Sequence, residues 1–160
     1  MKGANVLDRR TFLLEGAAAA AILGLIGRAP SARAEAAAEE TAEFKAALES
    51  LIGKATPQEQ GLSLDLPDSV ENGDYVPVAL AVDSPMTAED HVKAIHLLST
   101  ANPRASVATF RFSLQSGKAR VTSRMRLAKT QDVVAVAELS GRRILLARRK
   151  VDVKVGGCGI

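Results

Sequence analysis

Asn72-Gly73-Asp74-Tyr75-Val76-Pro77-Val78-Ala79-Leu80-Ala81-Val82 is a turn signal followed by a strand signal. Asn-Gly is favoured where a tight turn needs positive φ. Beyond it Val76, Val78, Leu80 and Val82 recur at period two, which places four apolar side chains on one face of an extended chain. Before the turn, Leu62, Leu64 and Leu66 alternate with Ser63 and Asp65 until Pro67 ends the run. Downstream, further short segments lie between breakers: residues 92–98 before Asn102-Pro103, 107–114 before Gly117-Lys118, then 120–127, 133–139 before Gly141, and 143–155. The segment near His91 also suits a short helix over 90–99 through Val92, Ile95 and His96. Its length and β-branched neighbours favour a strand. About seven short strands separated by turns predict an antiparallel β-sandwich. Ahead of them residues 36–54 read as a helix, with Phe44, Leu48, Leu51 and Ile52 on one stripe and Gly53 and Pro57 as the stop. Glu35, Glu39 and Glu40 at its start and Lys54 at its end agree with the helix dipole.

Composition sets the bounds. A chain of 160 residues is of single-domain size. Aromatics make up 3%, with no Trp, so the core falls to Val, Leu, Ile and Ala, and base-stacking platforms for single-stranded nucleic acid are not expected. Residues 1–34 have the order of an export signal: Arg9-Arg10, an apolar run over 17–26, then Ala32-Arg33-Ala34 as a cleavage site. Residues 8–14 fit the twin-arginine pattern, an address for export of folded protein. The alternative is a short membrane anchor, but a span needs about 20 apolar residues. Ala36–Ala38 offer other small-residue cleavage sites. From residue 35 on, Lys plus Arg and Asp plus Glu number 16 each, so the exported chain is formally neutral and nucleic-acid binding loses its electrostatic support. The remaining charge is uneven. Residues 35–90 hold thirteen acids and two Lys, and residues 91–160 hold fourteen basic residues and three acids. Pairing between the halves is expected to cancel most of this, the alternative being a dipolar surface that orients a partner.

The chemistry-bearing feature is a single cysteine, Cys158, flanked by Gly156, Gly157 and Gly159. An exported protein with one Cys forms no internal disulfide, and its thiol is an intermolecular link, a reactive group or incidental. Glycine neighbours give a thin chain with wide conformational freedom, suited to inserting a thiol into a narrow slot of another protein. The sequence places neither Lys154 nor Arg148, Arg149 and Lys150 beside the sulfur, so activation is left to a partner's site. The position excludes lipoprotein attachment and prenylation. His91 and His96, five apart, make no zinc set with a distant Cys, and no Ser-His-Asp arrangement is recognisable. No metal, cofactor or catalytic residue is therefore expected. Two other functions remain open: an assembly or binding sandwich with an incidental cysteine, and a thiol oxidoreductase, although a Cys-x-x-Cys pair is missing.

Val155-Gly156-Gly157-Cys158-Gly159 resembles the terminal motif of SoxY, the sulfur-carrier subunit of the bacterial thiosulfate-oxidising Sox system. The resemblance extends to Val70-Glu71-Asn72-Gly73 before Val76-Pro77-Val78, to Ser84-Pro85-Met86-Thr87, and to Asn102-Pro103 before Val107-Ala108-Thr109-Phe110-Arg111-Phe112. It continues through Arg124-Met125-Arg126-Leu127-Ala128 and Val133-Val134-Ala135-Val136-Ala137. One departure is Ile160, where the family commonly has a second glycine after the cysteine-glycine pair. The resemblance implies a periplasmic immunoglobulin-like β-sandwich over residues 35–153 and a flexible arm over 154–160. Cys158 would be the covalent attachment point, with Gly156, Gly157 and Gly159 giving flexibility and access. It implies a carrier rather than an enzyme, paired with a SoxZ-like subunit. The carrier would be served by a haem-containing SoxAX-type cytochrome, a SoxB-type hydrolase and a SoxCD-type sulfane dehydrogenase, with no nucleic acid and no membrane insertion after the signal is removed. Arg124 and Arg126 share a strand face and are candidates to meet partner acids or plain solvent.

Overall fold

The computed structural model describes residues 39–157. The export signal over 1–34, the first residues expected in the helix, and Cys158, Gly159 and Ile160 all lie outside this range. The described chain contains one helix, α1 (Ala42–Ile52), and eight strands. These are β1 (Leu62–Asp65), β2 (Ser69–Asn72), β3 (Val76–Val82), β4 (Val92–Ser99), β5 (Ser106–Arg111), β6 (Ala119–Met125), β7 (Gln131–Leu139) and β8 (Ile144–Val155). They form two sheets, a three-stranded one in the order β1-β3-β6 and a five-stranded one in the order β2-β8-β7-β4-β5. The architecture is a β-sandwich of immunoglobulin-like type with an N-terminal helix. The segment near His91 is a strand.

The core follows the alternation. Val76, Val78, Leu80 and Val82 are buried on one face of β3 and meet Leu62 and Leu64 of β1. Val92, Ile95 and Leu97 of β4 and Val133, Ala135 and Ala137 of β7 belong to the same cluster. A second cluster lies on the outer face of the larger sheet, where α1 lays Phe44 against Leu98, Ala105, Val134, Val136 and Ile144. β7 is thus covered on both faces, which is why residues 133–137 are continuously apolar instead of alternating. Helix α1 starts at Ala42 because the Thr41 hydroxyl accepts the Phe44 N–H at 3.2 Å as an N-cap, and it stops at Gly53, whose φ is 57°.

Three details differ from the periodicity. First, one strand pair is parallel: β2 runs alongside β8 with Ser69 opposite Asp152 and Asn72 opposite Val155. β2 offers one apolar side chain, Val70, part-buried against the core, and is otherwise held by its backbone, so no alternation announces it. Secondly, the strand expected to reach residue 114 ends at Arg111, because Ser113 and Ser116 cap a short 3-10 turn over Leu114–Ser116. Thirdly, β6 ends at Met125, and Leu127, fully buried, belongs to the loop that follows.

Candidate functional site

The root of the cysteine-bearing tail lies where three separate pieces of chain meet: the β2–β3 turn, the β6–β7 loop and the end of β8. β8 extends through Lys154 and Val155, and the chain beyond it is still tied down. The Gly157 N–H donates to the Leu127 carbonyl at 2.9 Å, the Leu127 N–H donates to the Gly73 carbonyl at 2.8 Å, and the Gly73 N–H donates to the Val155 carbonyl at 2.9 Å. These bonds link the three pieces in a closed ring of backbone groups.

The glycines of this ring are there for contact. A Cβ on Gly73 would lie 2.1 Å from the Leu127 carbonyl oxygen and 2.7 Å from the Gly157 nitrogen. One on Gly156 would lie 2.1 Å from the Ala128 carbonyl oxygen, and one on Gly157 would lie 2.7 Å from the Gly73 carbonyl. In each case the obstacle is backbone, which no rotamer change can move aside. Gly156, although exposed, lies with one side against the Ala128 carbonyl, and Gly157 is buried. Lys154 and Val155 are the last residues of β8, and the Gly157 N–H reaches the Leu127 carbonyl beyond them.

The loop that receives Gly157 is itself fixed by side-chain amides. Asn102 Nδ2 donates to the Arg126 carbonyl at 2.8 Å, and its Oδ1 accepts the Ala128 N–H at 2.9 Å. The same oxygen accepts from Gln131 Nε2 at 2.7 Å, while Gln131 Oε1 accepts the Ala101 N–H at 2.8 Å. Gln131 is only 1% exposed, so its hydrogen bonds are made at low dielectric, where leaving them unmade would be costly. Thr130 Oγ1 accepts the Val153 N–H at 2.9 Å and holds the last turns of β8 to the same loop. Asn72 Oδ1 accepts the Asp74 N–H at 2.8 Å and shapes the opposite wall.

The outer surface near this root carries two exposed apolar side chains, Val155 at 63% and Tyr75 at 55%. The Arg124 guanidinium lies over the Tyr75 ring at 4.5 Å from its centroid, a cation–π contact. Arg124 thus meets an aromatic face of its own chain. Two cations on β8 are committed elsewhere. Arg148 pairs with Glu40 at 2.9 Å and Asp132 at 3.2 Å, and Arg149 with Asp68 at 3.3 Å. Arg149 lies six residues before Val155, roughly 20 Å along an extended strand, too far to bear on a thiol beyond Gly157. The two histidines do not come together as ligands. His91 Nδ1 is 3.0 Å from the Thr87 carbonyl, whereas His96 bridges Thr109 Oγ1 and Glu138 at 3.0 Å each. Among the described residues no group of three His, Asp or Glu side chains is placed to hold a metal, and no helix is long and apolar enough to cross a membrane.

Gly73, Asn102, Leu127 and Ala128 stand in the motifs quoted above, but neither they nor Gln131 was expected at the root of the tail. Asn72-Gly73 and Asn102-Pro103 were visible as turn signals, and that sufficed to explain them locally. Their tertiary contacts have no local signature.

The family model for the sulfur oxidation protein SoxY matches residues 48–158. The chain belongs to the SoxY family. Among solved structures, the sulfur carrier protein SoxY from Chlorobium limicola f thiosulfatophilum is similar, at 30% identity and a TM-score of 0.58, covering 71% of this chain and 97% of that one. A superoxide reductase variant from Ignicoccus hospitalis shares the fold at 20% identity and a TM-score of 0.54, covering 64% of this chain and 85% of its own. The superoxide reductase from Nanoarchaeum equitans does so at 8% identity and a TM-score of 0.51, covering 59% and 99%. At these identities the two reductases report on the sandwich alone. No curated protein matches the chain in sequence. As a SoxY-family member, the chain is a sulfur-carrier protein of the Sox system rather than an enzyme, and the family is periplasmic.

Proposed function

We propose that this protein carries sulfur intermediates of thiosulfate oxidation covalently on Cys158, after export by the twin-arginine route directed by residues 1–34 and in a heterodimer with a SoxZ-like subunit. What supports the reading is that the family match runs through residue 158, while the fold seats the two residues before it against the body of the sandwich. In the first step the Cys158 thiol and the sulfane sulfur of thiosulfate form an S–S bond. Two electrons pass to a haem cytochrome of SoxAX type and the thiol proton is released. In the second, a SoxB-type hydrolase adds water across the S–SO3 bond, releasing sulfate and leaving a persulfide on Cys158. A SoxCD-type sulfane dehydrogenase then oxidises the outer sulfur to a sulfonate, taking three oxygens from water and passing six electrons to its own acceptor, and a second hydrolysis releases sulfate and frees the Cys158 thiol. A tethered intermediate meets each enzyme at an effective concentration far above that of free solute.

Intact-mass measurement of the protein from thiosulfate-oxidising cells tests this. Adducts of roughly 112 and 32 Da, lost on reduction and absent from Cys158→Ala, are expected for thiosulfonate and persulfide. A thiol that stays unmodified during turnover overturns the proposal. Equimolar co-purification with a second small subunit is the expected state in cells, and a lone monomer overturns the heterodimer.

A further inference from the structure

We infer that Gly73, together with the Leu127–Ala128 carbonyls, forms a seat that clamps Gly156 and Gly157, making these groups positioning elements for the carrier thiol. This rests on the carrier reading and goes beyond it, because it moves the hinge of the arm from residue 154 to residue 157. Three observations converge. The Gly157 N–H is spent on Leu127, so the residue preceding the cysteine is hydrogen-bonded to the fold. Glycine is required at 73, 156 and 157 because a Cβ at each would enter van der Waals space of backbone atoms on another segment. The receiving loop is braced by Asn102 and the buried Gln131, which leaves it little room to recede.

The geometric consequence is large. With Gly157 held, the Cys158 Cα lies about 3.8 Å from a fixed Cα. Were the chain free from Lys154, the same atom would have four residues of slack, about 14 Å. A seated root therefore leaves the cysteine one residue of chain from a fixed point of the sandwich instead of four. Gly73, which contributes no side chain and is 85 positions away in sequence, determines where the thiol begins its excursion.

Amide hydrogen exchange on the unaltered protein tests the seat without any sulfur chemistry. The Gly157 amide is expected to exchange on the order of a hundredfold more slowly than the same residue in an unstructured peptide. A Gly157 amide that exchanges at the peptide rate overturns the inference. A second measurement uses the single cysteine as the attachment point of a nitroxide spin label. Its spectrum is expected to show restricted motion in the parent and rapid motion in Gly157→Ala, with the sandwich still folded by circular dichroism. Equal mobility in both overturns the clamp. Slow exchange and restricted motion without sulfur adducts in cells would leave the seat in place and remove the carrier reading instead.

Discussion

A methyl group at position 73 would sit 2.1 Å from the Leu127 carbonyl oxygen, so Gly73→Ala has to push the β6–β7 loop and the end of β8 apart. Overpacking of this kind costs about 1–3 kcal/mol, and urea unfolding of the variant should show that loss at an unchanged m-value. Gly53 is the control. It has open space around its missing Cβ, and only its φ of 57° opposes alanine, so Gly53→Ala should cost about 1 kcal/mol. Equal losses at the two positions would mean that the backbone ring around Gly73 is looser than its distances imply. At this scale the cysteine was legible because it is single and flanked by glycines. The reason for two of those glycines was not. A glycine that permits disorder and a glycine that permits close approach are the same letter, and only the facing backbone tells them apart.

Helix α1 is fastened to the outer face of the larger sheet by one deeply buried side chain, Phe44, with Leu48, Leu51 and Ile52 packed around it. Phe44→Ala should cost about 3–5 kcal/mol. Thr41→Ala, which removes the hydroxyl that accepts the Phe44 N–H, should cost about 0.5–2 kcal/mol. Chemical denaturation checks both, and the order of the two losses is the sharper test. The stripe of this helix could be read from spacing, and so could β1 and β3, because one face of each is buried and the other is wet. β2 could not. Its Ser69–Asn72 sequence has no apolar alternation, and its pairing with β8 uses main-chain groups that every residue carries.

Across the molecule, the uneven charge of the two halves is partly folded back on itself. Arg143 pairs with Asp90, Arg148 with Glu40 and Asp132, and Arg149 with Asp68, each joining a cation of the later half to acids that include one from the earlier half. All are substantially exposed, so each contributes about 0–1 kcal/mol. Thermal unfolding should therefore shift by no more than a few degrees between low and high salt. A large fall would show that charge pairing holds the sandwich together more than its core does. The placement of β8 has a further consequence. This strand is the last in the described chain, yet it lies inside its sheet, between the edge strand β2 and β7. The sheet cannot be completed while β8 is still inside the ribosome, since until then β2 lacks its neighbour and β7 one of its two. Residues immediately beyond β8 emerge after it, so a chain interrupted during synthesis has neither a finished fold nor a thiol. Synthesis order thus couples chemical competence to structural completeness, and a half-made copy has no sulfur site to offer.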